Sequence, residues 1–160
     1  MIRLLGAIMI FFACSAAGFF CSSTYRRRAR QLEAFTALIS HIGAEIDSFL
    51  APLDTIYASF DNRTLEECSF MTALRENGGV VAMQICRRSL SLTDSERAEL
   101  ERFFSGLGHH AAGGEAKHCA YFEKRIGELA DTARSEYASK GRVCRTLGML
   151  FGIMLTLVLL

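Results

Sequence analysis

The sequence predicts an all-α protein: a cytoplasmic bundle of about six helices, flanked by a transmembrane helix at each end. Three observations predict it. The 160-residue chain is 51% hydrophobic although 22% of it is charged, and the apolar excess sits at the two termini. It holds one proline and no tryptophan, so long stretches lack the turn chemistry that successive short strands need. Between the ends, apolar residues recur at helical spacing. The expected organisation is an N-terminal transmembrane helix over 1–24, the bundle over 25–143 and a C-terminal transmembrane helix over 144–160.

The first element is "RLLGAIMIFFACSAAGFFCSST". After Arg3 no charge occurs until Arg26, which leaves about the 20 residues a helix needs to cross a hydrocarbon core. A cleaved leader carries its positive charge ahead of the apolar run. Here Arg26, Arg27, Arg28 and Arg30 follow it. Positive charge stays on the cytoplasmic side, so these arginines are read as topology anchors, with the N-terminus outside. Ala13 with Ala17, and Cys14 with Gly18, are small pairs four apart, a spacing that lets a second membrane helix approach closely.

The C-terminal element mirrors the first. Lys140, Arg142 and Arg145 anchor it on the inside, ahead of "TLGMLFGIMLTLVLL". Residues 146–160 reach only about 22 Å at 1.5 Å per residue. A span therefore needs residues 143 and 144 as well, with Arg145 snorkelling back to the surface. Both charge patterns place the middle inside and both termini outside. The competing arrangement is a leader cleaved near residues 18–22, with the tail as an anchor.

Within the bundle, Leu32, Phe35, Ile39, Ile42, Ile46 and Phe49 form a seam of alternating three- and four-residue steps. Gln31, Glu33, Ser40, Glu45 and Asp47 fall on other faces, and His41 is read as solvated. Pro52 opens a short helix with Leu53, Ile56, Tyr57 and Phe60 as its apolar face. Thr64 and Glu67 are read as a capping box for a helix carrying Leu65, Cys68, Met71 and Leu74, which Gly78 and Gly79 stop. Residues 80–90 form a further short helical stretch. Thr93 caps the next helix and Glu96 answers it three residues on, with Asp94 adding favourable charge to the first turn. Its buried face is Leu100, Phe103, Phe104 and Leu107, and Gly106 and Gly108 end it. The last helix starts near Glu115, buries His118, Phe122, Ile126, Leu129, Ala133 and Tyr137, and runs on into the C-terminal span.

The net charge of +1 gives no reason to expect nucleic-acid binding. The chain has neither a G-x-x-x-x-G-K-[ST] phosphate loop nor H-E-x-x-H. It is read as a non-enzyme without a cofactor. Its six cysteines form no C-x-x-C pair and are read as free thiols of a reducing compartment. His109, His110, His118 and Cys119 are the candidate metal ligands. Adjacent helical residues point about 100° apart, so His118 and Cys119 do not easily share an ion. These histidines, with Cys68, Cys86 and Cys119, define the alternative reading: a metal- or redox-responsive membrane-anchored sensor. The main reading is a structural protein that works through exposed charge. Its candidate partner contacts are Arg87 and Arg88 of "ICRRSLS" and Glu66 and Glu67 of "DNRTLEE".

"RLLGA", "RQLEAF", "EIDSFLAPL", "LSLTDSERAELERFFSGLG", "EAKH" and "LGMLFGIMLTLVLL" follow one another from end to end. In this order the chain resembles the stage III sporulation protein AB family. The resemblance implies a component of a trans-envelope complex joining mother cell to forespore, likened to a secretion apparatus or feeding channel. It implies a location in the mother-cell membrane around the forespore. It also implies similarity to the inner-membrane platform F protein of type II secretion and type IV pilus systems, and hence a six-helix cytoplasmic bundle. The implied partners are the lipid bilayer and other stage III proteins, above all their cytoplasmic secretion-type ATPase, with self-association left open.

Overall fold

The computed structural model describes the backbone of residues 2–49, 52–109 and 112–159. The side chains of residues 2–5, 7–8, 10–12, 14–15, 48–49, 112, 145 and 155–159 lie outside the description. The described chain is all-helical, as expected: α1 (Ile2–Phe49), α2 (Leu53–Ser59), α3 (Arg63–Glu67), α4 (Phe70–Asn77), α5 (Gly79–Ile85), α6 (Asp94–Gly106), α7 (Ala112–Glu136) and α8 (Arg142–Leu159). A 3-10 turn (Cys86–Arg88) follows α5, and a π turn (Tyr137–Gly141) joins α7 to α8. Among the described residues no helix is long and apolar enough to cross a membrane. The chain divides into two compact units: Met1–Arg27 with Thr132–Leu160, and Arg28–Asp131.

The core of the Arg28–Asp131 unit is built on the α1 seam. Leu32, Phe35, Ile39, Ile42 and Ile46 are all buried, while the expected Phe49 contact lies outside the described side chains. Phe70 stands edge-on to Phe35 at 4.9 Å and 5.9 Å from Phe104. Phe103 continues the aromatic row, 5.1 Å from Phe104 and 5.6 Å from Phe122. Such pairs add roughly 0.5–1.5 kcal/mol each beyond their buried area.

Two polar residues of α1 depart from the sequence reading. Gln31 is fully buried rather than outward. Its Oε1 accepts from the Ser91 amide at 2.7 Å and its Nε2 donates to the Ser89 carbonyl at 3.4 Å. The non-helical segment after the 3-10 turn has no helical partner for those backbone groups, and Gln31 supplies one donor and one acceptor. His41 is half-buried rather than solvated, bonded to Ser59 at 3.0 Å and packed on Phe60 at 5.2 Å.

The Thr64–Glu67 capping box does not form. Asn62 takes the cap instead, accepting from the amides of Thr64 and Leu65 at 3.0 and 3.4 Å. An Asn side chain two residues upstream reaches these orphan amides first. Glu67 is left to pair with Arg63 one helical turn away, at 3.0 Å. The expected single helix is also broken. Ser69 adopts φ +60° and separates α3 from α4. A left-handed backbone costs an L-residue about 1–2 kcal/mol, which glycine avoids. Ser69→Gly is therefore expected to raise stability by about 1 kcal/mol, read as a higher urea midpoint at unchanged slope.

Gly78 ends α4 at φ +78°, and Gly79 opens α5. A Cβ on Gly79 would come within 2.1 Å of Phe104 Cδ1, so only a hydrogen lets α5 seat on the aromatic row. The Thr93–Glu96 capping box forms as expected: the Glu96 amide donates to Thr93 Oγ1 at 3.4 Å, and Glu96 Oε2 accepts from the Thr93 amide at 2.8 Å. The box turns Glu96 inward, where it is 1% exposed, and its carboxylate takes Arg28 in a two-pronged grip at 2.7–3.1 Å. α7 starts at Ala112, a turn before the expected Glu115. Glu115 Oε1 reaches back to accept from the Gly108 amide at 2.9 Å.

In the other unit, the start of α1 packs against the π turn and α8. A Cβ on Gly18 would meet the Cys144 carbonyl oxygen at 2.8 Å and Gly148 Cα at 3.2 Å. One on Gly141 would meet Ser22 Oγ at 3.3 Å. Gly18, Ser22, Gly141 and Gly152 are buried here, so the helices approach across small residues. Of the expected small pairs, Gly18 makes the contact. Ala13 and Ala17 are exposed, and the Cys14 side chain lies outside the described ones.

Candidate functional site

The 3-10 turn presents the arginine pair of the sequence reading. Its geometry starts with Cys86, which is buried and ends α5. The Cys86 carbonyl accepts from the Ser89 and Leu90 amides, each at 3.0 Å. Ser89 Oγ stands 3.0 Å from both the Cys68 and the Cys86 carbonyl. Leu90 is buried behind it, and Gln31 holds residues 89 and 91. With anchors on both sides, Arg87 and Arg88 are forced outward. Both are exposed, and neither makes an ion pair with the described residues. Beside them α5 exposes Val80 (39%), Val81 (43%) and Ile85 (60%). Valine is a mediocre helix former, so this face gains nothing by being apolar in water.

Glu66 and Glu67 sit at the end of α3. The Ser89–Cys68 bond brings that turn against the arginine turn. Unlike the arginines, both glutamates are engaged locally: Glu67 with Arg63, and Glu66 3.8 Å from Arg75. Arg75 is itself fixed by the Tyr57 and Phe60 carbonyls. Exposed pairs of this kind contribute about 0–1 kcal/mol, so they are easily exchanged for a partner's charges.

The expected topology anchors differ in their surroundings. Arg26, Arg27, Arg30 and Arg142 are exposed. Lys140 pairs with Glu136 at 2.7 Å, and the Arg145 side chain lies outside the described ones. Arg28 instead turns into the bundle onto Glu96. By sequence it is one more anchor; the signal for its second role is the inward half of the Thr93–Glu96 box.

The candidate metal ligands are not gathered. Among the described residues no three of His, Cys, Asp and Glu group to hold an ion, and His110 lies outside them. His118 stacks on Phe103 at 5.5 Å, and its Nε2 stands 3.1 Å from the Phe103 carbonyl. Cys119 is buried against Gly43. Burial, and then the charges of Glu115 and Glu123, push its thiol up to about 11. A thiol held that high is a weak nucleophile at neutral pH. The open groove lined by Glu99, Tyr121, Lys124, Arg125 and Glu128 is largely self-neutralised, with Arg125 at 3.9 Å from Glu99 and 3.7 Å from Glu128.

The family profile of stage III sporulation protein AB matches residues 3–160 of the chain. The chain is similar to stage III sporulation protein AB of Bacillus subtilis (strain 168), with 26% identity over 171 aligned residues and full coverage of both chains. No solved structure matches.

Proposed function

From the premise that the chain belongs to the stage III sporulation protein AB family, a role in sporulation follows, and we propose that within it the chain is a non-enzymatic membrane platform. It docks or couples the complex's cytoplasmic ATPase through the Arg87–Arg88 turn. The observation that carries this reading is the turn itself: two exposed guanidiniums on a backbone fixed on both sides, beside the apolar face of α5. A turn whose backbone is already fixed loses little main-chain freedom on meeting carboxylates, and Arg suits such pairing geometrically.

The membrane part of the reading rests on the Met1–Arg27 and Thr132–Leu160 unit. Its helices meet through small residues. They turn Phe19, Phe20, Leu150, Phe151 and Met154 outward, each more than half exposed. Large apolar faces outside and small residues between helices suit a hydrocarbon solvent. The exposed Arg26, Arg27 and Arg142 then lie on the mother-cell cytoplasmic side, with both termini across the bilayer.

The test is co-purification of the ATPase with full-length chain from membranes. Arg87→Glu with Arg88→Glu is expected to weaken capture by about tenfold or more, since close interfacial charge pairs are each worth over 1 kcal/mol. Both side chains are exposed, so the circular dichroism spectrum stays that of the parent. Undiminished capture would move the docking surface elsewhere.

A further inference from the structure

The described thiols of the chain fall into two kinds. Cys68, Cys86 and Cys119 are buried in the Arg28–Asp131 unit. Cys68 donates to the Leu65 carbonyl at 3.2 Å, and burial pushes the thiols of Cys86 and Cys119 up. Cys21 on α1 is exposed and Cys144 on α8 is half-buried. Their sulfurs lie 3.0 Å apart. We infer that Cys21 and Cys144 are an oxidisable dithiol, which closes to an intramolecular disulfide tying α1 to α8.

A tetrahedral zinc site needs three or four protein ligands, and among the described residues no third His, Cys, Asp or Glu joins this pair. A disulfide holds its sulfurs about 2.05 Å apart. At 3.0 Å each sulfur needs to move only about half an ångström to bond. The helices also meet closely on either side of the pair. At Gly18 there is no room for a Cβ between α1 and the Cys144 carbonyl, and Gly141 lies against Ser22, the neighbour of Cys21. The two helices are held close here by contacts that do not involve the sulfurs.

The oxidant class is a small-molecule disulfide, RSSR. The thiolate of one cysteine attacks one sulfur of RSSR, forming protein–S–SR and expelling RS⁻. The thiolate of the other cysteine attacks the protein sulfur of that mixed disulfide and expels the second RS⁻. Two cysteines lose their thiol protons and two electrons, and RSSR is reduced to two RSH. The second step is intramolecular between groups already in contact, so the mixed disulfide does not accumulate. The closed form joins residues 123 positions apart, which restricts the unfolded chain.

The experiment uses the full-length chain in detergent and in native membranes, with oxidised glutathione as the probe. Peptide mass mapping under non-reducing conditions is expected to find the Cys21 and Cys144 peptides joined within one chain. Alkylation at both is lost together and is restored by dithiothreitol. Cys21→Ser is expected to leave Cys144 as a glutathione adduct with no cross-link. The inference is overturned if both cysteines of the parent chain stay alkylatable. It is equally overturned by stable glutathione adducts on both, by a bond from either to Cys14, or by a bond between two chains.

Discussion

Arg28→Ala is expected to cost about 3–5 kcal/mol of stability, the range for a buried ion pair that loses one partner. The side chains are 18% and 2% exposed, so water does not replace the guanidinium around Glu96. Glu96 cannot swing out to solvent either, because its Oε2 also holds the Thr93 amide at 2.8 Å. The variant must then bury an uncompensated carboxylate or give up the cap of α6. Pairing Arg28→Met with Glu96→Gln is expected to recover most of the loss. The carboxamide oxygen that Glu96→Gln leaves in place still accepts from the Thr93 amide, and an apolar stem beside a neutral amide carries no charge to desolvate. Urea denaturation of the single and double variants checks both statements. A loss below 1 kcal/mol for Arg28→Ala would make the pair an ordinary solvated one.

Phe103→Ala is expected to cost a similar 3–5 kcal/mol, the range for deleting a buried aromatic ring. Phe103 is fully buried and touches Phe104, His118 and Phe122. It links α6 to α7, and none of the three neighbouring rings can fill the void without leaving its own contacts. His118 would lose its stacking partner while its Nε2 kept the carbonyl of residue 103. Phe103→Leu should lose distinctly less, because it keeps most of the buried volume. Thermal unfolding followed by circular dichroism measures both. Equal losses for Ala and Leu would assign the effect to ring geometry rather than volume.

Where the sequence is legible, one period and one cap carry the information. The α1 seam is buried from Leu32 to Ile46 as its three- and four-residue steps require, and Thr93 with Glu96 marks the start of α6 to the residue. The features it hides have long-range causes. Gln31 looks like any surface glutamine, and its burial depends on a loop 60 positions away. Asn62 outcompetes Thr64 for the same amides, a contest between two reasonable caps that spacing alone cannot decide. Ser69 carries no residue-type signal for a left-handed turn, so the pattern reads as one helix where two exist. Arg87 and Arg88 can be proposed from composition. That they stand on a braced turn, while Glu66 and Glu67 are already engaged, is visible only in three dimensions. The closeness of Cys21 and Cys144 has no sequence signal at all, since no motif spans their separation.

The π turn at Tyr137–Gly141 acts as a frameshift written in three dimensions. Each extra residue in a helical turn rotates all that follows by about 100°. The residues beyond it are therefore read in a different angular frame from those before it. The spacing that buries Phe122, Ile126 and Ala133 makes no demand on Gly148 or Gly152. One stretch of chain can thus satisfy two unrelated packing codes in succession. Gaining or losing a single residue between 137 and 141 would not break the helix; it would change which letters of α8 face α1.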